Sequence, residues 1–302
     1  MLQARFPALL ALLFLLPILA AGQADPTSRS WNQPVEPFRI AGNLYYVGAS
    51  DIASYLVATP EGHILLDGGF VETVPLIRES VRKLGFRIED VKILLNTHAH
   101  YDHAGGLAAL KALTGAKLHA SEADAPALAR GGKDDPVLGD QLLFPPIQAD
   151  RLVKDGDTVT LGGSTLTAHL TPGHTAGCTT WTMKVNGLNA VIVCSTSILP
   201  TAKLGAEPSY PGIAEDYART FRTLRGLPCD VFLAAHGSFY NLKEKSERLK
   251  KGGGANPFVD PDGYRSYLDR SEKTFQERLA KDRDVSTPPA PRSAPRSSPT
   301  RP

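Results

Sequence analysis

Thr97-His-Ala-His-Tyr-Asp-His-Ala-Gly-Gly106 is the stretch on which the reading of this chain turns. Three histidines and an aspartate, His98, His100, Asp102 and His103, stand in one short run directly after the apolar segment Val91–Asn96, which reads as a buried strand. A loop between a strand and a helix is not bound to a period of 2 or 3.6, so such side chains can converge on one point. Imidazole and carboxylate together suit a divalent metal such as Zn²⁺. Working outward, His174 and His236 repeat the situation. His174 follows the strand-like Ser164–Leu170 in Thr171-Pro-Gly-His-Thr-Ala-Gly177, and His236 follows Val231–Leu233 in Ala-His-Gly237. Side chains delivered from several strand ends make a site at one rim of a sheet. Five histidines and one aspartate suffice for two ions with positions left for water, the mark of a catalytic rather than a structural site. His63, His119 and His169 lie in or beside strand runs and read as structural histidines.

The rest of the chain alternates strand and helix signals. Strands are expected at Leu44–Gly48, Tyr55–Thr59, His63–Asp67, Val91–Asn96, Lys117–Ala120, Arg151–Lys154, Ser164–Thr171, Cys178–Val185, Asn189–Cys194 and Val231–Ala235. Helices are expected at Val74–Leu84, Leu107–Leu113, Glu122–Ala129, 213–226, Lys243–Lys251 and Tyr264–Lys281. That alternation is an α/β pattern, with sheets covered by helices. Ser121 is placed to cap the helix at Glu122. Gly131–Ala149 is long for a structureless loop, which points to a functional border, with Phe144 and Ile147 as its apolar candidates.

The chain has 302 residues, 42% of them hydrophobic, and three cysteines, which exclude a disulfide-dense mini-protein and a four-thiolate zinc site. Residues 8–21, ALLALLFLLPILAA, are short for a membrane span and are followed by small residues. Residues 1–24 therefore read as a cleaved signal peptide, and 285–302, rich in Pro, Ser and Arg, as a disordered tail. One domain, 25–284, remains. Arg5, Arg292, Arg296 and Arg301 lie in the two ends; without them the net charge passes from +2 to −2. A nucleic-acid-binding core is not supported.

The run Thr97–Gly106 resembles the T-H-x-H-x-D-H-x-G-G signature of the metallo-β-lactamase superfamily, with Asp67-Gly68 similar to its upstream strand-end Asp-Gly, His174 to its third metal histidine and His236 to its last. The resemblance implies an αββα sandwich of two mixed β-sheets flanked by helices, with the metals at one edge. Glyoxalase II, lactonases and RNase Z-like members carry a metal-bridging Asp after the third histidine. Here that stretch is Val191-Ile-Val-Cys-Ser-Thr-Ser197, without an acid. Histidine directly after the motif aspartate, with serine in the later segment, is similar to subclass B3 β-lactamases, and export fits them too.

That resemblance implies two zinc ions, one held by His98, His100 and His174, the other by Asp102, His103 and His236. It implies hydrolysis of a β-lactam amide by metal-activated water, with Asp102 orienting the nucleophile and no acyl-enzyme. Ser195 and Ser197 would contact the substrate carboxylate or a bound water, or else are plain strand-end hydroxyls. Asp67 would orient a ligand histidine or its loop. The alternative activity is an exported hydrolase of a lactone, thioester or phosphodiester. The expected setting is the periplasm, with a small-molecule substrate, no nucleic acid, no membrane after cleavage and no second subunit. Cys178 and Cys194 flank a hairpin turning near Asn186-Gly187 and are expected to form a disulfide, as in some B3 enzymes, two buried thiols being the alternative. Cys229 resembles a B3 cysteine whose partner is missing here, and is expected to be free.

Overall fold

The computed structural model describes residues 26–284. The expected leader and tail both lie outside the described residues. Two mixed sheets face each other. The first has seven strands in the order β1 (Phe38–Ala41), β2 (Leu44–Tyr46), β3 (Tyr55–Thr59), β4 (Gly62–Leu66), β5 (Val91–Leu95), β6 (Lys117–Ser121) and β7 (Arg151–Val153). Pairing is antiparallel from β1 to β4 and parallel from β4 to β7. The second runs β12 (Val231–Ala234), β11 (Leu188–Val193), β10 (Thr179–Val185), β9 (Ser164–Leu170) and β8 (Thr158–Leu161), with only β11 and β12 parallel.

The period of two along each strand sorts the core into layers. Ile64, Leu66 and Leu95 point between the sheets, where they meet Leu166, Trp181, Met183 and Ile192. Leu65, Leu94 and Leu118 point the other way, under Ile77 and Val81 of α2 (Val74–Lys83) and Leu107 and Leu110 of α4 (Leu107–Thr114). On the far side, α6 (Ile213–Gly226) and α8 (Pro261–Asp284) cover the second sheet. There Phe232 meets Tyr264 edge-on and Tyr267 at a tilt, at centroid distances of 5.3 and 5.4 Å. This is the αββα sandwich expected. Both faces of β4 are buried, which is why HILL reads as a continuous apolar run.

Two strands and two helices escaped the sequence reading: β1, β8, α1 (Pro26–Trp31) and the single turn α3 (Tyr101–Ala104). Phe38–Ala41 and Thr158–Leu161 are four-residue edge strands with at most one buried position each. They carry too few apolar residues for a pattern to emerge. The helix expected from Glu122 starts instead at Ala125 and is α5 (Ala125–Arg130). Ser121 does not cap it. Its Oγ accepts the Asp124 N–H (3.2 Å) in the turn before it. Phe144 and Ile147, each 6% exposed, pack into the core under the first sheet, and Phe144 also lines an open cleft with Leu142 and Leu143. No helix among the described residues is long and apolar enough to cross a membrane. Cys178 and Cys194 are joined by a disulfide, with Cα atoms 5.9 Å apart, and Cys229 is free.

Candidate metal centre

The histidine-rich run leaves β5 and forms a single helical turn, α3 (Tyr101–Ala104), before α4 begins. Asp102 and His103 ride on that turn, and His98 and His100 precede it. The turn is knitted to the end of β4. Gly68 N–H donates to His103 O and Gly106 N–H to Gly69 O, both at 2.9 Å. The two backbones approach so closely that a Cβ on Gly106 would lie 2.2 Å from Gly68 O, which only glycine permits.

Asp67 occupies the left-handed region (φ 62°), which aspartate tolerates better than most residues. From there its carboxylate accepts Thr97 N–H (2.7 Å), Thr97 Oγ1–H (2.6 Å) and Asn96 Nδ2–H (3.0 Å). It also faces His103 Nδ1 at 3.4 Å. In this geometry the Asp67 carboxylate lies between the Asn96–Thr97 segment and the His103 ring.

The six residues singled out in the sequence come together from three separate segments. One ligand atom from each of His98, His100 and His174 lies within 4.8 Å of the others. His100 Nδ1 and His174 Nε2 are 3.1 Å apart. Beside them, Asp102 Oδ2 lies 3.3 Å from His103 Nε2 and 3.4 Å from His236 Nε2, and those two nitrogens are 3.2 Å apart. His98, His103 and His100 are 1%, 0% and 5% exposed, so solvent does not separate them.

The rings of His98, His174 and His236 are each oriented by a hydrogen bond at the other nitrogen. His174 Nδ1–H donates to Ser197 O (2.9 Å), and Ser197 Oγ lies 3.2 Å from the same nitrogen. His236 Nδ1–H donates to Asp51 Oδ2 (2.9 Å). His98 Nδ1–H donates to Thr97 Oγ1 (3.1 Å), whose own proton goes to Asp67. His100 Nε2 faces Asp135 Oδ2 at 3.7 Å. In its neutral form each of these rings keeps a lone pair on the nitrogen turned toward the centre. His98 Nε2 is buried without any hydrogen-bond partner. A buried imidazole nitrogen in that state is costly unless it coordinates something. The donor set of imidazole nitrogens and one carboxylate therefore fits a divalent cation.

The electrostatics divide the centre. Burial, with the neighbouring rings, holds His98 well below its usual value, and burial and His100 bring His174 down to about 3. Burial alone would lower His103 as well, but Asp102 and Asp67 push it up to about 10. His236 is likewise raised, by Asp102 and Asp51 against its burial. Asp102 is held well below the carboxylate range, His103 outweighing burial. Without metal, His98 and His174 would be crowded neutral beside a carboxylate carrying its own protonated partners.

Sequence reasoning missed Asp51, Asp124 and Asp135, and also Trp31, whose ring meets His236 edge-on at 5.4 Å. Each stands alone in an unremarkable turn or helix, so spacing held no signal for it. Asp135 comes from the Gly131–Ala149 loop, so that loop does reach the site. Its Leu142 and Leu143, with Phe70 and Tyr101, also line a cleft of about 650 Å³ beside α3. Of the serines, Ser195 is 1% exposed and its Oγ pairs with Ser197 Oγ at 2.9 Å, while Ser197 is half-buried against His174. His63 and His169 are engaged in their strands, with Thr59 N–H and Thr182 Oγ1, away from the centre.

A family model described as the metallo-β-lactamase superfamily matches residues 47–236. The chain resembles the native FEZ-1 metallo-β-lactamase of Legionella gormanii, with 45% identity, 83% of this chain and 98% of that chain covered and a TM-score of 0.81. It resembles BJP-1, a subclass B3 metallo-β-lactamase of Bradyrhizobium japonicum, with 39% identity, coverage of 85% and 98% and a TM-score of 0.78. Shorter matches join it to hydroxyacylglutathione hydrolases. That of Hyphomonas neptunium is 42% identical over 82 residues, 27% of this chain. That of Rhodospirillum rubrum is 29% identical over 169 residues, 56% of this chain. The chain spans only 25% and 54% of the length of those two relatives. Taken with the fold and the converging histidines, these matches place the chain in the metallo-β-lactamase superfamily, where it is similar to the subclass B3 enzymes.

Proposed function

We propose that the protein is an exported zinc β-lactamase of the B3 type, with His98, His100 and His174 holding one ion and Asp102, His103 and His236 a second. The observation that carries this reading is the intact pair of three-residue ligand sets on a chain that matches B3 enzymes over almost their whole length. When bound there, zinc supplies a water acidic enough to be a nucleophile at neutral pH and polarises the carbonyl under attack. The chain's own residues do the rest. Asp102, ionised between His103 and His236, accepts a hydrogen from the attacking water and so aims it. Ser197, beside His174, is placed to hydrogen-bond the substrate carboxylate, with Ser195 bracing its hydroxyl. The cleft of Phe70, Tyr101, Leu142 and Leu143 offers apolar surface beside the centre.

The shorter matches to hydroxyacylglutathione hydrolases support a second reading, thioester hydrolysis. The absence of an acid from Val191–Ser197 weighs against it, because no carboxylate there can bridge two ions. Nitrocefin, a homoserine lactone and S-lactoylglutathione assayed side by side separate the activities. Nitrocefin should be turned over fastest, EDTA should abolish that turnover, and added zinc should restore it. Turnover that survives the chelator would remove the metal mechanism, and a faster thioester would remove the β-lactam one.

The electrostatic division predicts a pH dependence of metal uptake. His103 is protonated in the metal-free protein below about pH 10 and must lose that proton to bind metal through Nε2. Its half of the centre should therefore gain about tenfold in zinc affinity per pH unit, roughly a hundredfold from pH 6 to 8. In the other half His98 and His174 are already neutral across that range and release no proton. Zinc titrations at pH 6 and 8 should show one affinity climbing much faster than the other. Equal slopes would contradict the division.

A further inference from the structure

Asp124 lies outside all six residues of the centre, yet its carboxylate spans the two segments that supply the three-histidine half. Its Oδ2 accepts Ala99 N–H (2.9 Å), the residue between His98 and His100, and Thr175 Oγ1–H (2.8 Å), the residue after His174. Its Oδ1 accepts Gly177 N–H (2.8 Å). Asp124 stands at the N-cap position of α5, where an aspartate ordinarily accepts from the helix's own first N–H groups. No such bond is made here. The side chain turns away from its helix and reaches across to the two ligand loops, and it is only 4% exposed there. The approach is close enough that a Cβ on Gly177 would come 2.4 Å from Asp124 N, so glycine at 177 makes room for it.

We propose that Asp124 is a positioning residue of the metal centre, setting the separation between the His98/His100 segment and the His174 segment. One carboxylate holds three donors on loops that are far apart in sequence, beside the backbone bond from Thr179 N–H to Thr97 O (2.8 Å) that also joins them. The residues of the other half, Asp102, His103 and His236, are held through Asp67 and Asp51 and share no contact with Asp124. The effect should therefore be confined to one half. This inference rests on the reading of the six residues as two metal-binding halves.

The test isolates each half. In a His236→Ala background only the three-histidine half is complete; in a His174→Ala background only the other is. Zinc affinity is measured by competition with a chromophoric chelator, without reference to turnover. Asp124→Asn should weaken zinc at least about tenfold in the first background, the loss typical when a group supporting a ligand is removed, and less than twofold in the second. Thr175→Val, which removes a single donor, should shift the first background in the same direction by less. Equal weakening in both backgrounds would reduce Asp124 to a general role in folding and overturn the proposal. So would unchanged affinity in the first background. If Asp124→Asn does not fold, Thr175→Val decides alone, and an unshifted affinity in the first background overturns the proposal. A wild-type protein that takes up no zinc overturns the proposed function along with this inference, a result distinct from wild-type uptake with unaffected variants.

Discussion

Asp102→Asn should lower kcat/KM for nitrocefin by at least about 10²–10³-fold, the scale seen when one preorganised electrostatic contributor is removed. The substitution keeps the shape of the side chain and removes its charge. In the native arrangement Asp102 Oδ2 sits 3.3 and 3.4 Å from the Nε2 atoms of His103 and His236, a triangle that one cation can fill. An amide in that place is a weaker ligand and leaves His103 and His236 without their negative partner. Three effects then add. Metal affinity falls, the proton held on His103 is no longer stabilised, and the acceptor that aims the water is lost. Zinc content measured with the kinetics separates them. If turnover falls while both ions remain bound, the loss lies in orientation; if one ion is lost, it lies in coordination. Activity within tenfold of wild type would place the chemistry elsewhere.

Asp67→Ala should have the largest effect on stability, although Asp67 is not among the six converging ligands. It is 1% exposed and accepts three hydrogen bonds from Asn96 and Thr97. Each buried donor left without an acceptor costs about 1–3 kcal/mol. Alanine in the left-handed region adds about 1 kcal/mol or more of backbone strain. Allowing for relaxation, a destabilisation on the order of 4 kcal/mol is expected, a fall in Tm of roughly 8–16 °C. Calorimetry of the metal-free variant measures it. The His98 ring should loosen as well, because its Nδ1 is tied to Asp67 through the Thr97 hydroxyl. A fall of under about 3 °C would mean that water replaces the carboxylate.

The central strands were the most legible part of the fold. HILLD announces one because both its faces are covered, and in VKILLN the buried Leu94 and Leu95 carry the signal. Phe38–Ala41 and Thr158–Leu161 sit at sheet edges, half in water, and their composition does not distinguish them from loops. The same contrast governs the site. Four ligands were legible because they crowd into one run, and His174 and His236 because each closes a strand and opens a turn. Asp51, Asp124 and Asp135 were not legible, since an isolated aspartate in a turn looks the same whether it faces solvent or a histidine.

The sequence by itself determined which side chains can bind a metal and that they lie at strand ends. Coordinating atoms must be supplied by particular residue types, and those are written in the chain. Only the tertiary structure decided which nitrogen of each ring faces inward and which carboxylates hold the rings in place. Those depend on contacts between segments as distant as Asp51 and His236, 185 residues apart. Such a contact exists only when the two sheets have closed on each other, and no local pattern records it.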